Sequence, residues 1–180
     1  MKKMIRRVKE YGENALIKSP EFRDYVEKFE SEINRGISTL CILSIIKQVE
    51  VKGIHGYGIL KELQEQTNDT LVIEEGTLYP LIRKLEKASL LESWKSEVDG
   101  RKRKLYRMTE NGEKIYNHLS GFYSKLTEAI SPLLDLKVHL EEKFIFCPNC
   151  ANRIRLDDKE IQFCEICGYP IQELRERRTK

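Results

Sequence analysis

Four of the five cysteines fall into two CxxC pairs, Cys147-Pro148-Asn149-Cys150 and Cys164-Glu165-Ile166-Cys167, with thirteen residues between them. Two residues between cysteines let one tight turn aim both thiolates at a single ion. Two such turns brought together complete the tetrahedral four-sulfur shell that Zn2+ favours. Ile154 and Leu156 alternate before Asp157-Asp158, and Ile161 and Phe163 alternate after it, so a hairpin is expected to join the two turns. A module this short buries too little core to fold alone, and metal binding would be its main folding energy. The alternatives are a four-thiolate iron centre and a thiol redox pair; redox use is the weaker, because both pairs fit one closed site and leave no thiol to resolve a disulfide. Cys41 has no ligand partner at metal spacing and reads as a small buried hydrophobe.

A second chemistry is carried by cations. Arg83, Lys84 and Lys87, with Pro80, lie opposite an apolar helical stripe of Leu78, Leu81, Ile82 and Leu85. Arg101, Lys102, Arg103 and Lys104 follow one another directly after Asp99-Gly100, with Arg107 further on. The net charge of the 180-residue chain is only +3, so a polyanion must be met by these local clusters rather than by the chain as a whole. Four cations in a row at a turn repel one another. Alone they would be a solvated run, but beside a basic helix they favour contact with phosphates. Other polar and aromatic candidates have plainer readings: His55 lacks a second ligand at metal spacing and suits a turn, Tyr79 can pad a helix surface, and Trp94 suits the core of a hairpin.

These side chains need elements to hold them. Lys2, Lys3, Arg6, Arg7 and Lys9 form a basic arm, after which Ser19 as N-cap and Pro20 at the first helical position signal a helix. Phe22, Tyr25, Val26, Phe29 and Ile33 line that helix at helical spacing, and Gly36 is expected to end it. The stripe is large and calls for a surface to cover, such as a partner subunit. A separate buried helix is expected over 37–49, a second with Ile59, Leu60 and Leu63, and a third over about 76–88. Pro80 bends the start of the third or places that start later. The segments around Trp94 and Tyr106, joined through Asp99-Gly100, read as a β-hairpin. Thr109 is a credible N-cap for a long helix whose stripe of Ile115, Leu119, Phe122, Tyr123, Leu126 and Ile130 suits packing along another helix, until Pro132 ends or kinks it. Beyond it, Leu134, Leu136, Val138 and Leu140 alternate as in a strand, while the composition also tolerates helix.

Three helices followed by a hairpin with a basic tip is the order of a winged helix-turn-helix, whose third helix can enter the DNA major groove. The expected fold is mainly α with small β: a winged helix-turn-helix, a long dimerisation helix and a C-terminal four-cysteine zinc ribbon. The expected divisions are 1–36 (arm and amphipathic helix), 37–108 (DNA-binding domain), 109–142 (dimerisation helix and linker), 143–172 (ribbon) and 173–180 (charged tail).

At His55-Gly56-Tyr57, at Glu75-Gly76-Thr77-Leu78-Tyr79-Pro80-Leu81-Ile82-Arg83-Lys84-Leu85-Glu86 and at Gly100-Arg101-Lys102-Arg103-Lys104-Leu105-Tyr106-Arg107-Met108-Thr109, the sequence closely resembles the PadR family of regulators, over about residues 37–130. The resemblance implies a homodimer in which the C-terminal helix, and often an N-terminal one, contacts the partner. It also implies a recognition helix starting near Gly76, with Thr77, Tyr79, Pro80 and Arg83 where the family meets DNA, and a wing around Asp99 to Lys104. The chain departs from the family at Glu74-Glu75, where relatives frequently have serine-proline; losing a serine cap costs about 1 kcal/mol. Some family members bind small aromatic compounds between subunits, so a small-molecule effector belongs to the expectation, although no residue here identifies one. The ribbon, about residues 143–172, is similar to that of archaeal transcription factor E, which also orders a winged helix, a connecting helix and a ribbon.

Two functions follow as expectations. The first is a sequence-specific regulator binding double-stranded DNA as a homodimer; the second is an interaction protein of the transcription machinery that touches RNA polymerase. An enzyme is disfavoured, since there is no phosphate-cradling glycine loop, no Ser/His/Asp set at recognisable spacing, and a four-thiolate site offers no open coordination position. No apolar run reaches the length of a membrane span, and the N-terminus lacks a signal-peptide core, so a cytoplasmic protein with no membrane partner is expected.

Overall fold

The computed structural model describes residues 16–98, 100–138, 144–157 and 160–171. The basic arm Lys2 to Lys9, Asp99 of the expected turn, Leu140, Asp158 and the tail 173–180 lie outside the described residues. The chain divides into two compact units, Met1–Thr109 and Glu110–Lys180.

The first unit is built on a 29-residue helix, α1 (Pro20–Gln48), with Ser19 as N-cap and Pro20 in its first turn. The expected break at Gly36 does not occur. Glycine inside a helix costs only about 1 kcal/mol relative to alanine. That cost is outweighed here because the turns after it bury Ile42, Leu43, Ile45 and Ile46. The two helices expected on either side of residue 36 are therefore one. A two-residue strand, β1 (Ile54–His55), leads into α2 (Gly56–Gln66), which His55 caps: its Nδ1 accepts from the Gly58 amide at 2.9 Å. That settles His55 as an N-cap. Helix α3 (Glu75–Lys87) follows, with Leu78, Ile82 and Leu85 buried. Pro80 lies inside α3 and does not delay its start; the carbonyl four residues earlier belongs to exposed Gly76, which water can reach.

Strands β2 (Leu91–Val98) and β3 (Arg101–Met108) pair antiparallel from Leu91↔Met108 to Val98↔Arg101, and β1 adds to the far edge of β3. Gly100, at φ 69°, takes the left-handed conformation a two-residue connection requires. The strands are longer than expected, so Arg101 and Lys102 belong to β3 with Arg103 and Lys104 rather than to the connection. Trp94 is half-buried and sits over Gly53, while Leu91, Leu105 and Tyr106 join the core.

The second unit begins with α4 (Glu110–Ile130), closed by a short 3-10 turn, Ser131–Leu134, that contains Pro132. Asp135 then turns left-handed, and 136–138 are neither strand nor helix. Strands β4 (Phe144–Phe146) and β5 (Arg153–Arg155) pair across the first CxxC, while Phe163 and Pro170 bridge across the second. The expected hairpin between the cysteine pairs is thus replaced by one hairpin around each pair. The physical reason is that a CxxC turn already reverses the chain, so its own flanks are the nearest pairing partners. A small core of Ile145, Ile154 and Ile171 packs with Cys147 and Cys164.

Candidate nucleic-acid face and metal centre

Helix α3 buries one side and leaves Pro80, Arg83, Lys84 and Lys87 exposed on the other, with Thr77 half-buried. Among the described residues no ion pair engages Arg83, Lys84 or Lys87, nor Arg101 or Lys102 of β3. Tyr79 is 36% exposed, and its hydroxyl end presses on Gly56: a Cβ at position 56 would lie 2.7 Å from Oη. The HGY and GTLYP segments therefore meet in space. The tyrosine braces the start of α2 against α3 and needs a glycine beneath it.

Strand alternation divides the four-cation run. Lys102 and Lys104 share a sheet face with Glu97, Lys95, Ser93 and Tyr106, since Glu97↔Lys102, Lys95↔Lys104 and Ser93↔Tyr106 are opposed pairs. That face meets α3: Lys104 Nζ donates to both carboxylate oxygens of Glu86 (2.8 and 3.1 Å), and Ser93 Oγ donates to Oε1 at 2.5 Å. Burial alone would raise the Glu86 carboxyl. The hydrogen bonds from Lys104 and Ser93, with the nearby charges of Lys104 and Arg83, instead bring it below its ordinary value. Arg101 and Arg103 fall on the other face with Trp94; Arg103 is half-buried, and its Nε has no hydrogen-bond partner among the described residues. Arg107 is held by Glu92 at 2.5 Å and stacks over Trp94.

Two residues of this face escaped the sequence reading. Lys95 stands opposite Lys104, a like-charge pair that is unfavourable without a counter-charge, and Glu86 supplies one. The signal was present in Asp99-Gly100: a two-residue turn fixes the register and so pairs 95 with 104.

In the second unit the four cysteine sulfurs lie within 4.8 Å of one another, with Cys147–Cys167 at 3.5 Å and Cys150–Cys164 at 3.6 Å. A tetrahedron with zinc–sulfur bonds of about 2.3 Å has sulfur–sulfur edges of roughly 3.8 Å, so the donor set fits a single tetrahedral ion. The two loops repeat one design. Ala151 N donates to Cys147 O and Gly168 N to Cys164 O, each at 2.8 Å; Cys147 N donates to Asn152 O at 2.9 Å and Cys164 N to Tyr169 O at 2.8 Å. The residue after each pair is left-handed, Ala151 at φ 59° and Gly168 at φ 73°. Cys150 is pushed up to about 12, chiefly by burial, whereas Cys167 is lowered to about 6, first by a hydrogen bond with the Asn149 side chain. Burial also raises Cys41, which sits apart from this cluster in α1.

The profile described as the transcriptional regulator PadR-like family matches residues 42–118, which covers α2, α3 and the hairpin. A Lysinibacillus sphaericus protein, described only as uncharacterized, is 34% identical over 106 residues, spanning 58% of this chain and 94% of that protein. The chain belongs to the PadR-like family. Solved structures similar to this PadR-like chain include a PadR family transcriptional regulator from Eggerthella lenta (27% identity, TM-score 0.54, covering 66% of this chain and 100% of that one). A transcriptional regulator from Clostridium thermocellum is 28% identical, with a TM-score of 0.52, covering 57% and 98%. A PadR-like transcriptional regulator from Bacillus cereus is 25% identical, with a TM-score of 0.51, covering 59% and 99%. These findings favour a transcriptional regulator over a polymerase-contacting factor. Each solved relative is covered almost entirely while a third or more of this PadR-like chain extends past the match.

Proposed function

We propose that this PadR-like chain is a sequence-specific DNA-binding transcriptional regulator acting as a homodimer, with a structural zinc ion on Cys147, Cys150, Cys164 and Cys167. The observation that carries the DNA reading is the exposed set of Arg83, Lys84 and Lys87 on the side of α3 away from its core, with no ion pair among the described residues. Thr77, Tyr79 and Pro80 start the same helix and meet base edges or the backbone there, as the family pattern suggests. Lys102, which faces Glu97 across the hairpin without a salt bridge among the described residues, and Lys95 carry the positive surface along the wing on the α3 side, and Arg101 sits at the wing tip. Lys104 positions the wing through Glu86, and Arg103 packs within the hairpin while adding to its charge.

Dimerisation is supported by two uncovered apolar surfaces. On α1, Phe22, Tyr25, Phe29 and Ile33 are exposed, and on α4 so are Phe122, Tyr123, Leu126 and Ile130. Contiguous apolar surface of this kind marks an interface. Two-fold pairing presents two recognition helices about one DNA turn apart, which requires a palindromic operator. No described helix is long and apolar enough to cross a membrane.

Genome-wide mapping of bound DNA tests this reading. A small set of palindromic sites is expected, with Arg83→Ala flattening sequence preference and Lys102→Ala weakening all DNA alike. Uniform occupancy of active promoters without a shared motif would refute it.

A further inference from the structure

We infer that the four-cysteine centre sets the geometry of α4, so that the face α4 offers a partner subunit is conditional on the metal. The inference rests on the dimeric reading above and concerns its regulation.

The contact is backbone on backbone. Gly121 of α4 is buried, and a Cβ added there would collide with the Ala151 carbonyl oxygen and stand 2.6 Å from Arg153 N. Ala151 directly follows Cys150, and its left-handed conformation is the one that closes the first metal loop. The surface resting on α4 is therefore the metal loop itself. Arg153 extends the contact, its guanidinium lying 4.4 Å from the Phe144 ring centroid and 5.5 Å from that of Tyr116, which is buried on α4. Lys125 lies over the Phe146 ring at 5.8 Å, and Lys114 reaches Glu165, inside the second CxxC, at 3.6 Å. Both metal loops thus grip one helix.

A bound ion holds each loop closed. Without it, an alanine in left-handed conformation is unfavourable, and four sulfurs packed this closely have nothing to draw them together. The segment 151–153 then lifts from Gly121, and Tyr116 and Gly121 lose their cover. At about 100° per residue, the stripe of Phe122, Leu126 and Ile130 points well away from Gly121 around the same helix. One face of α4 thus answers to the metal and another to the partner, and order lost on the first is lost on the second.

The test uses the full chain, metal-loaded and then stripped with a chelator, with metal content measured alongside. Stripping is expected to remove hydrogen-exchange protection from α4 amides and to raise the dimer dissociation constant by at least about tenfold. Gly121→Ala supplies an independent sign. At an open helical site this change stabilises, as Gly36→Ala should, since nothing lies within 4 Å of a Cβ there. At Gly121 it should lower α4 protection and weaken dimerisation while one zinc per chain is retained. Unchanged α4 protection and dimerisation after complete metal removal would overturn the inference, as would tighter dimerisation of Gly121→Ala. Should the metal-loaded chain fail to dimerise or to select DNA, the proposed function falls, and α4 exchange alone still decides the coupling.

Discussion

Lys102 and Lys104 are two residues apart on one sheet face, and the structure assigns them different work. Lys102 has no ion pair among the described residues, whereas Lys104 donates to both oxygens of Glu86. Under the proposed DNA-bound homodimer, removing Lys102 would delete one phosphate contact per protomer and two per dimer. Since the slope of log K against log salt is about −0.9 per contact, Lys102→Ala should make that slope shallower by about 1.8. At about 0.1 M salt each lost contact corresponds to roughly 1 kcal/mol, so losing two lowers affinity roughly thirtyfold and equally on all sequences. Lys104→Ala removes the same charge but leaves the Glu86 carboxylate uncompensated beside Arg83. Its loss of affinity should be largely reversed by adding Glu86→Gln, whereas that second change should do nothing for Lys102→Ala. The exposed Lys104–Glu86 pair contributes only about 0.2–1 kcal/mol to folding, so both variants should stay folded. Fluorescence anisotropy on operator DNA over a salt series reads all four quantities. Equal slopes for the two single variants, or rescue of both by Glu86→Gln, would refute this division of labour.

Other predictions follow from single contacts. Gly56→Ala places a Cβ 2.7 Å from Tyr79 Oη and should cost about 1 kcal/mol; adding Tyr79→Phe should recover part of the lost melting temperature, and no recovery would mean the clash lies elsewhere. The Glu86 carboxyl is lowered in the folded state, so its clamp contributes stability above the ordinary glutamate value of about 4.3 and loses it as pH falls through the folded value. A carboxyl titration followed by NMR should give a Glu86 midpoint below that ordinary value, and one at or above it would contradict the hydrogen-bonded geometry. Loading the chain with Co2+ should yield the intense visible absorption of a tetrahedral four-thiolate site, lost in Cys150→Ser; a weak octahedral spectrum would exclude a closed four-sulfur shell.

Much of this was legible in the residues, for identifiable reasons. Leu78, Ile82 and Leu85 recur at helical spacing because one face of α3 is core, so their burial could be read directly, and with it the exposure of Arg83, Lys84 and Lys87. The CxxC spacing likewise dictated that all four sulfurs converge. Gly36 misled because a local breaker was weighed without the burial of Ile42 to Ile46, which holds α1 together across it. The run Arg101 to Lys104 looked like one patch because charge was read along the chain; a strand splits it, sending Lys102 and Lys104 to one side and Arg101 and Arg103 to the other. Ile154 and Phe163 alternate, yet each pairs around its own cysteine loop. Nothing in the sequence singled out Gly121, since a glycine within an amphipathic helix reveals what presses on it only after folding.

The proposed DNA recognition requires two copies of α3 to reach one operator together. Hydroxyl-radical footprinting of the full chain on a mapped operator tests this most directly. Two protected patches related by a dyad and centred about one helical turn, roughly 34 Å, apart are predicted, with both lost in Arg83→Ala/Lys84→Ala/Lys87→Ala. A single protected patch, or a two-patch footprint that survives loss of the three cations, would contradict it.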